Sequence, residues 1–248
     1  DVRLEDVPEP TCGPDEVKIR VKNCSTCGTD VKIRANGHVN ITRVTTMGHE
    51  IAGEVIAVGD AVQGVTVGKR YVVFPWHGCG ECSVCKRGDE NLCLAGKSMG
   101  VFQPGGYADH VLVSHARYLV DIGDIPPVQA APYACSGLTT YSALKKVPPQ
   151  VLRDEKLVLI GAGGLGLMAI GLAKAMGSTG VIVIEPDETK HAAAMQAGAL
   201  AVFNPRQDGY LAQVRQAAGG AVWAVIDCVG SSQTVQAGID MLTKGGQL

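Results

Sequence analysis

From residue 156 onward, short apolar runs alternate with helical stretches, and no other feature restricts the fold so strongly. Residues 157–160, 181–184, 201–203 and 222–226 have strand length and are apolar throughout. The intervening segments, 163–176, near 188–197 and near 210–217, read as helices, with another near 231–243. Strands joined by crossover helices run parallel and are covered on both faces. The pair Gly245 and Gly246 announces a fifth strand, against six in a full doubly wound dinucleotide fold, so the sequence is expected to stop inside this domain.

The turn after the first of these strands is Gly161-Ala-Gly163-Gly164-Leu165-Gly166, a G-x-G-x-x-G spacing. Glycines there allow a tight turn, close approach of backbone N–H groups to a pyrophosphate, and tight packing of helix on strand. The motif is weak alone. It gains force from the strand before it, the helix after it, and an acidic residue, Glu185, at the end of the next strand. A carboxylate in that place accepts from the adenosine ribose hydroxyls and repels a 2′-phosphate, which favours NAD over NADP. Lys190 could temper that preference, but it reads as an exposed helix residue.

Residues 1–131 have another character. The segment 17–22 alternates apolar and basic residues as a half-buried strand does, and 51–58, 70–74 and 110–113 are further strand candidates between glycine-bearing turns. Many short strands with such turns suggest a small barrel or sandwich. Within this half lies Cys79-Gly-Glu-Cys82-Ser-Val-Cys85 followed after seven residues by Cys93. Four thiols on so short and bendable a segment can converge on one tetrahedral thiolate-binding ion, which marks a closed, structural zinc site with no position left for substrate.

Nine cysteines, an odd number, suit a reducing compartment better than a disulfide framework, so a cytoplasmic protein is expected. No charged-then-apolar leader opens the sequence, and no signal peptide is expected. A net charge of -2 without a basic tract argues against nucleic acid or an anionic membrane as partner. The most apolar stretch, 157–173, is too short for a membrane span at seventeen residues and carries five glycines.

Three scattered motifs remain: Cys27-Gly-Thr-Asp30, Gly48-His-Glu50 and Ala134-Cys-Ser136. Spacing alone assigns them nothing. Together with the cysteine loop, Gly-Gly-Tyr-Ala-Asp (105–109), Cys-Ser-Gly-Leu-Thr-Thr (135–140), the glycine loop and Asp-Cys-Val-Gly (227–230), however, they stand in the order of one family. The chain resembles the zinc-containing medium-chain alcohol dehydrogenases over essentially its whole length. That resemblance implies a GroES-like β-barrel catalytic domain (1–131) followed by a Rossmann-type doubly wound α/β domain (132–248). It implies two zinc ions per chain and NAD, with a small alcohol, polyol or carbonyl compound as substrate and a homodimer or tetramer as the assembly.

By the same resemblance a catalytic zinc is held by Cys27, His49 and Cys135, with one position open to the substrate oxygen, the pattern of a catalytic site. The ion acts as a Lewis acid on the alcohol while the nicotinamide accepts hydride. Glu50 is similar to the carboxylate beside the metal, Asp30 to the group that orients the histidine, Thr29 to the hydroxyl that takes the alcohol proton, and Thr139 to a residue touching nicotinamide. Two positions depart from the family pattern: Lys32 stands where many relatives carry a proton-relaying histidine, and Gly28 where some carry a basic residue. Cys12, Cys24 and Cys228 are read as core, and His38, His77, His110, His115 and His191 as surface or satisfied histidines. Rival readings are a zinc-free quinone or enoyl reductase on the same plan, which would lack the ligands, and a non-catalytic nucleotide-binding protein.

Overall fold

A computed structural model describes residues 2–37 and 45–248. It forms two compact units, Asp1–Cys135 and Ser136–Leu248; their boundary falls four residues beyond the expected 131/132 division. His38 lies outside the described residues, and among those described no helix is long and apolar enough to cross a membrane.

In the first unit β1 (Val17–Ser25) leads to α1 (Gly28–Asn36), followed by β2 (Glu50–Val58), β3 (Arg70–Val73) and the short β4 (Trp76–His77). Helix α2 (Ser83–Lys86) lies within the cysteine loop; β5 (Lys97–Ser98), β6 (His110–Val113), β7 (Leu119–Asp121) and α3 (Pro127–Ala130) follow. Five of these strands form an antiparallel sheet in the order β6-β1-β2-β3-β7, and β4 pairs with β5. Alternation along β1 buries Val17 and Ile19 against Ile51, Val55, Val73, Val111 and Val113, while Lys18, Arg20 and Lys22 take the positions between them. The opposite face of β2 and β3 packs Ala52 and Val72 on Ile122, Ala130, Ala131 and Ala134. Small residues let that terminal segment approach the sheet closely, and its hold on β2 and β3 is why the unit runs on to Cys135.

The second unit contains α4 (Ser136–Leu144), α5 (Pro149–Asp154), β8 (Leu157–Ile160), α6 (Gly164–Ala175), β9 (Val181–Ile184), α7 (His191–Ala197), β10 (Ala201–Phe203), α8 (Tyr210–Ala217), β11 (Val225–Asp227) and α9 (Ser232–Met241). The parallel sheet runs β10-β9-β8-β11, the doubly wound order. A parallel bridge from Ala224 to Gln247 extends it beyond β11. Leu157, Leu159, Val181 and Val183 face Leu144, Ala169, Ile170 and Ala173. Their sequence neighbours Val158, Ile160, Ile182 and Ile184 face Val214, Val222 and Met241 on the other side. Every residue of these two strands is therefore buried, which explains their unbroken apolar runs.

Candidate functional site

The register of β1 on β2 builds the first cluster able to hold a metal. Cys24 pairs with Ile51 and Ser25 with Glu50, so the chain leaving β1 at Cys27 lies beside His49 and Glu50 at the start of β2. Cys135 reaches the same place from the alanine-rich turn (Ala131–Ala134) packed on that sheet. One ligand atom from each of Cys27, His49, Glu50 and Cys135 lies within 4.8 Å of the others. The two sulfurs are 3.9 Å apart, close to the ~3.8 Å edge of a tetrahedron with ~2.3 Å metal–sulfur bonds.

Cys27 also begins α1. Its Sγ accepts from the Thr29 N–H at 3.5 Å, while Asp30 Oδ2 accepts from the Cys27 N–H at 2.9 Å. This is a capping box with sulfur in place of the usual hydroxyl. Asp30 Oδ1 meets His49 Nδ1 at 3.3 Å, which leaves Nε2 for a metal. Asp30 thus braces one ligand through its backbone and another through its ring.

The four groups are strongly coupled electrostatically. Cys135 and His49 hold the Cys27 thiol down at about 3. That thiolate, together with burial, pushes Cys135 upward. Burial alone would lower the pKa of His49, but Asp30 and Cys27 outweigh it and raise it to about 10. Burial, with the Cys27 charge beside it, raises Glu50 to about 7. Two thiolates beside a neutral imidazole would leave negative charge uncompensated here, and a divalent cation would offset it.

The four-cysteine loop gathers separately. Cys79, Cys82, Cys85 and Cys93 place their sulfurs within 4.8 Å of one another. Three of the edges measure 3.9, 3.4 and 3.8 Å. The N–H groups of Glu81 and Cys82 lower Cys79 to about 6. All four positions are sulfur, so the set is complete without an outside ligand.

In the second unit the glycine loop joins β8 to α6. Gly161 has a φ of 98°, and a Cβ on Gly166 would lie 2.0 Å from the Gly161 carbonyl oxygen. Gly163 and Gly164 have open space where a Cβ would stand and are exposed beside the partly buried Leu165. That division of labour, packing by the last glycine and clearance at the middle ones, fits a pyrophosphate cradle. Glu185 is buried at the end of β9: Oε2 accepts from the Ala162 N–H at 2.7 Å and Oε1 from the Asp187 N–H at 3.0 Å. Lys190 is an exposed helical residue, as read, with Nζ 3.4 Å from Asp187 Oδ2 and 3.8 Å from Glu185 Oε1. Thr139 is exposed on α4; Thr29 and Lys32 are exposed on α1.

One supporting element, residues 105–107, entered the sequence reading only within a motif of the family resemblance, with no structural role of its own. The N–H groups of Gly105, Gly106 and Tyr107 donate to the carbonyls of Thr46, Gly48 and Met47. A Cβ on Gly105 would lie 2.2 Å from the Gly48 oxygen. The Tyr107 hydroxyl donates to Thr26 Oγ1 at 3.2 Å, which ties the segment before His49 to the one before Cys27. Apart from that motif, two adjacent glycines ahead of an aromatic residue were the signal.

Two clusters able to hold a metal in a GroES-like unit, with a glycine loop suited to a pyrophosphate in a doubly wound unit, are the features of a zinc-type dehydrogenase. Residues 13–124 match the alcohol dehydrogenase GroES-like domain and residues 164–248 the zinc-binding dehydrogenase family. An NAD-dependent alcohol dehydrogenase from Sulfurisphaera tokodaii is 37% identical over 99% of this chain and 73% of its own length. The D-arabinose dehydrogenase structure from Sulfolobus solfataricus superposes with a TM-score of 0.91 at 28% identity, covering 98% of this chain and 76% of that one. A Sinorhizobium meliloti structure with NADP bound gives 0.86 at 31% identity over 98% and 70% of the two chains. The chain belongs to the zinc-containing medium-chain alcohol dehydrogenase family.

Proposed function

We propose that the protein oxidises a small alcohol or polyol to the aldehyde or ketone, or runs the reverse reduction, with two zinc ions per chain and NAD in preference to NADP. The observation that carries this reading is the meeting of Cys27, His49, Glu50 and Cys135 at one point, apart from a cluster that is all sulfur. When bound, zinc supplies a Lewis acid for the substrate oxygen and the nicotinamide an acceptor for hydride.

The chain's own residues supply the rest. Cys27, His49 and Cys135 hold the ion, and Asp30 fixes the imidazole with its metal-facing nitrogen free. Glu50 is a spare carboxylate beside the cluster, able to enter or leave as the other donors change. Thr29 takes the proton of the substrate hydroxyl. The Gly161–Gly166 backbone receives the pyrophosphate, and Thr139 touches the nicotinamide. Glu185 spends one lone pair of each oxygen on the protein and has others for ribose hydroxyls. Its charge in a buried setting opposes a 2′-phosphate, and this supports NAD, while Lys190 reduces the contrast.

A panel of primary, secondary and poly-alcohols assayed with NAD and with NADP, alongside metal analysis, tests the reading. Two zinc ions per chain and alcohol-dependent NAD reduction are expected. A zinc content of one, or reduction of quinones or enones that is indifferent to loss of Cys135, would sink it.

A further inference from the structure

Outside both ligand clusters, a polar network joins the cysteine loop to the sheet. Glu90 lies in that loop, between Cys85 and Cys93. Its Oε2 accepts from the Tyr118 hydroxyl at 2.6 Å, from the Gly78 N–H at 3.0 Å and from Arg117 Nη2 at 3.4 Å. Tyr118 is held in turn. It is 4% exposed and lies between β6 and β7, where its carbonyl accepts from the Phe74 N–H at 2.8 Å. Its ring stacks on the buried His77 with centroids 3.8 Å apart and planes 10° from parallel. His77 has no freedom to turn away, because Nε2 meets the Phe74 carbonyl at 3.0 Å and Nδ1 the Gln103 amide at 2.8 Å.

A loop of four thiolates around one ion could swing open as a unit, since only its ends are fixed by the chain. Glu90 ties it down at a further point within the loop. It is held by a side chain that cannot move without unstacking a buried pair, and a charged acceptor makes such hydrogen bonds the stronger kind. Gly78 admits the contact, since a Cβ there would lie 2.6 Å from Cys85 Sγ and 2.9 Å from Glu90 Cβ.

We propose that Glu90 and Tyr118 form a latch that keeps the four-cysteine loop closed over its zinc and limits how fast the metal leaves. The latch rests on the reading that this loop binds zinc, and it adds a role for residues that touch no metal. Opening the loop requires breaking the carboxylate–phenol contact first. Removing it should speed metal loss roughly tenfold or more, the range for a hydrogen bond to a charged group.

The test uses the zinc-loaded full chain in excess EDTA, with pulses of iodoacetamide and peptide mass spectrometry. Tyr118→Phe, which keeps the stacked ring, and Glu90→Ala should alkylate the Cys79–Cys93 peptide roughly tenfold faster than wild type. Cys27 and Cys135, labelled in the same sample, should keep their wild-type rate. Equal rates at the loop in wild type and Tyr118→Phe overturn the latch, as does equal acceleration at Cys27 and Cys135, which signals general loosening. Should Glu90→Ala fail to fold, Tyr118→Phe decides. If the wild-type loop is alkylated at once with or without EDTA, the zinc reading itself falls.

Discussion

The Glu185 carboxylate accepts a hydrogen bond from the backbone N–H of Ala162 at 2.7 Å, so the end of β9 holds the glycine loop that follows β8. A residue expected from the sequence to serve the cofactor directly also shapes the cradle. Glu185→Ser should therefore raise KM for NAD and lower kcat/KM by about tenfold to a hundredfold, with less loss for NADP. Steady-state kinetics with both cofactors measures this. Unchanged NAD kinetics would mean that the carboxylate serves the loop alone.

The glycines of that loop should separate stability from binding. In Gly166→Ala the new methyl meets the Gly161 oxygen 2.0 Å away, an overpacking expected to cost about 1–3 kcal/mol in urea unfolding. At Gly163 the space is open, so Gly163→Ala should leave stability within about 0.5 kcal/mol. It should nevertheless weaken NAD binding measured by calorimetry, because its methyl stands where the pyrophosphate approaches. The reverse pattern would reject the assignment of these positions.

How much of this was legible depends on whether the signal was local. Strands β8 and β9 fall where the apolar runs place them, because both faces of a covered parallel strand need apolar residues; the edge strand β10 and helix α8 also fall in place. Residues 222–226 misled slightly: Val222 packs in the core, but its carbonyl accepts from the Thr243 N–H and the ladder with β8 begins at Val225. Helix α1 was not anticipated. Val31 is 58% exposed, so no apolar stripe marks the helix, and its clearest start signal is a capping box headed by cysteine. The four-cysteine loop was readable from spacing. Cys135 was readable only through family resemblance, since 108 residues separate it from Cys27. Glu90 and Tyr118 meet across 28 residues, and nothing in either neighbourhood announces the other.

The two cysteine clusters should respond differently to loss of one sulfur. Cys85 is buried within its loop, and on the proposed reading metal binding there contributes directly to folding. Cys85→Ser should lower the melting temperature and the zinc content by one ion per chain. Cys135→Ser should lose its zinc and its turnover while keeping the melting temperature closer to wild type, since Ala131 and Ala134 still anchor that turn on the sheet. Atomic absorption and thermal unfolding on the same samples check both. A Cys135→Ser protein with full turnover and two zinc ions would remove the catalytic assignment.

The Thr29 hydroxyl supplies the sharpest test of the chemistry. Its N–H is engaged with Cys27 Sγ at 3.5 Å, so the backbone is fixed at the start of α1 whichever side chain it carries. Thr29→Ser should keep most activity. Thr29→Val keeps the shape but loses the hydroxyl, and should lose about a hundredfold to ten-thousandfold in turnover, the usual contribution of a positioned proton acceptor. On the proposed reading Lys32 stands in the place of a relaying histidine, so the proton should pass from Thr29 to water, and alcohol oxidation should rise with pH. Lys32→His introduces an imidazole that titrates near pH 6.5 and should raise the rate near neutrality, while Lys32→Ala should change it little. A Thr29→Val enzyme near wild-type activity, or a pH profile made flat by Lys32→Ala, would show that another group carries the proton.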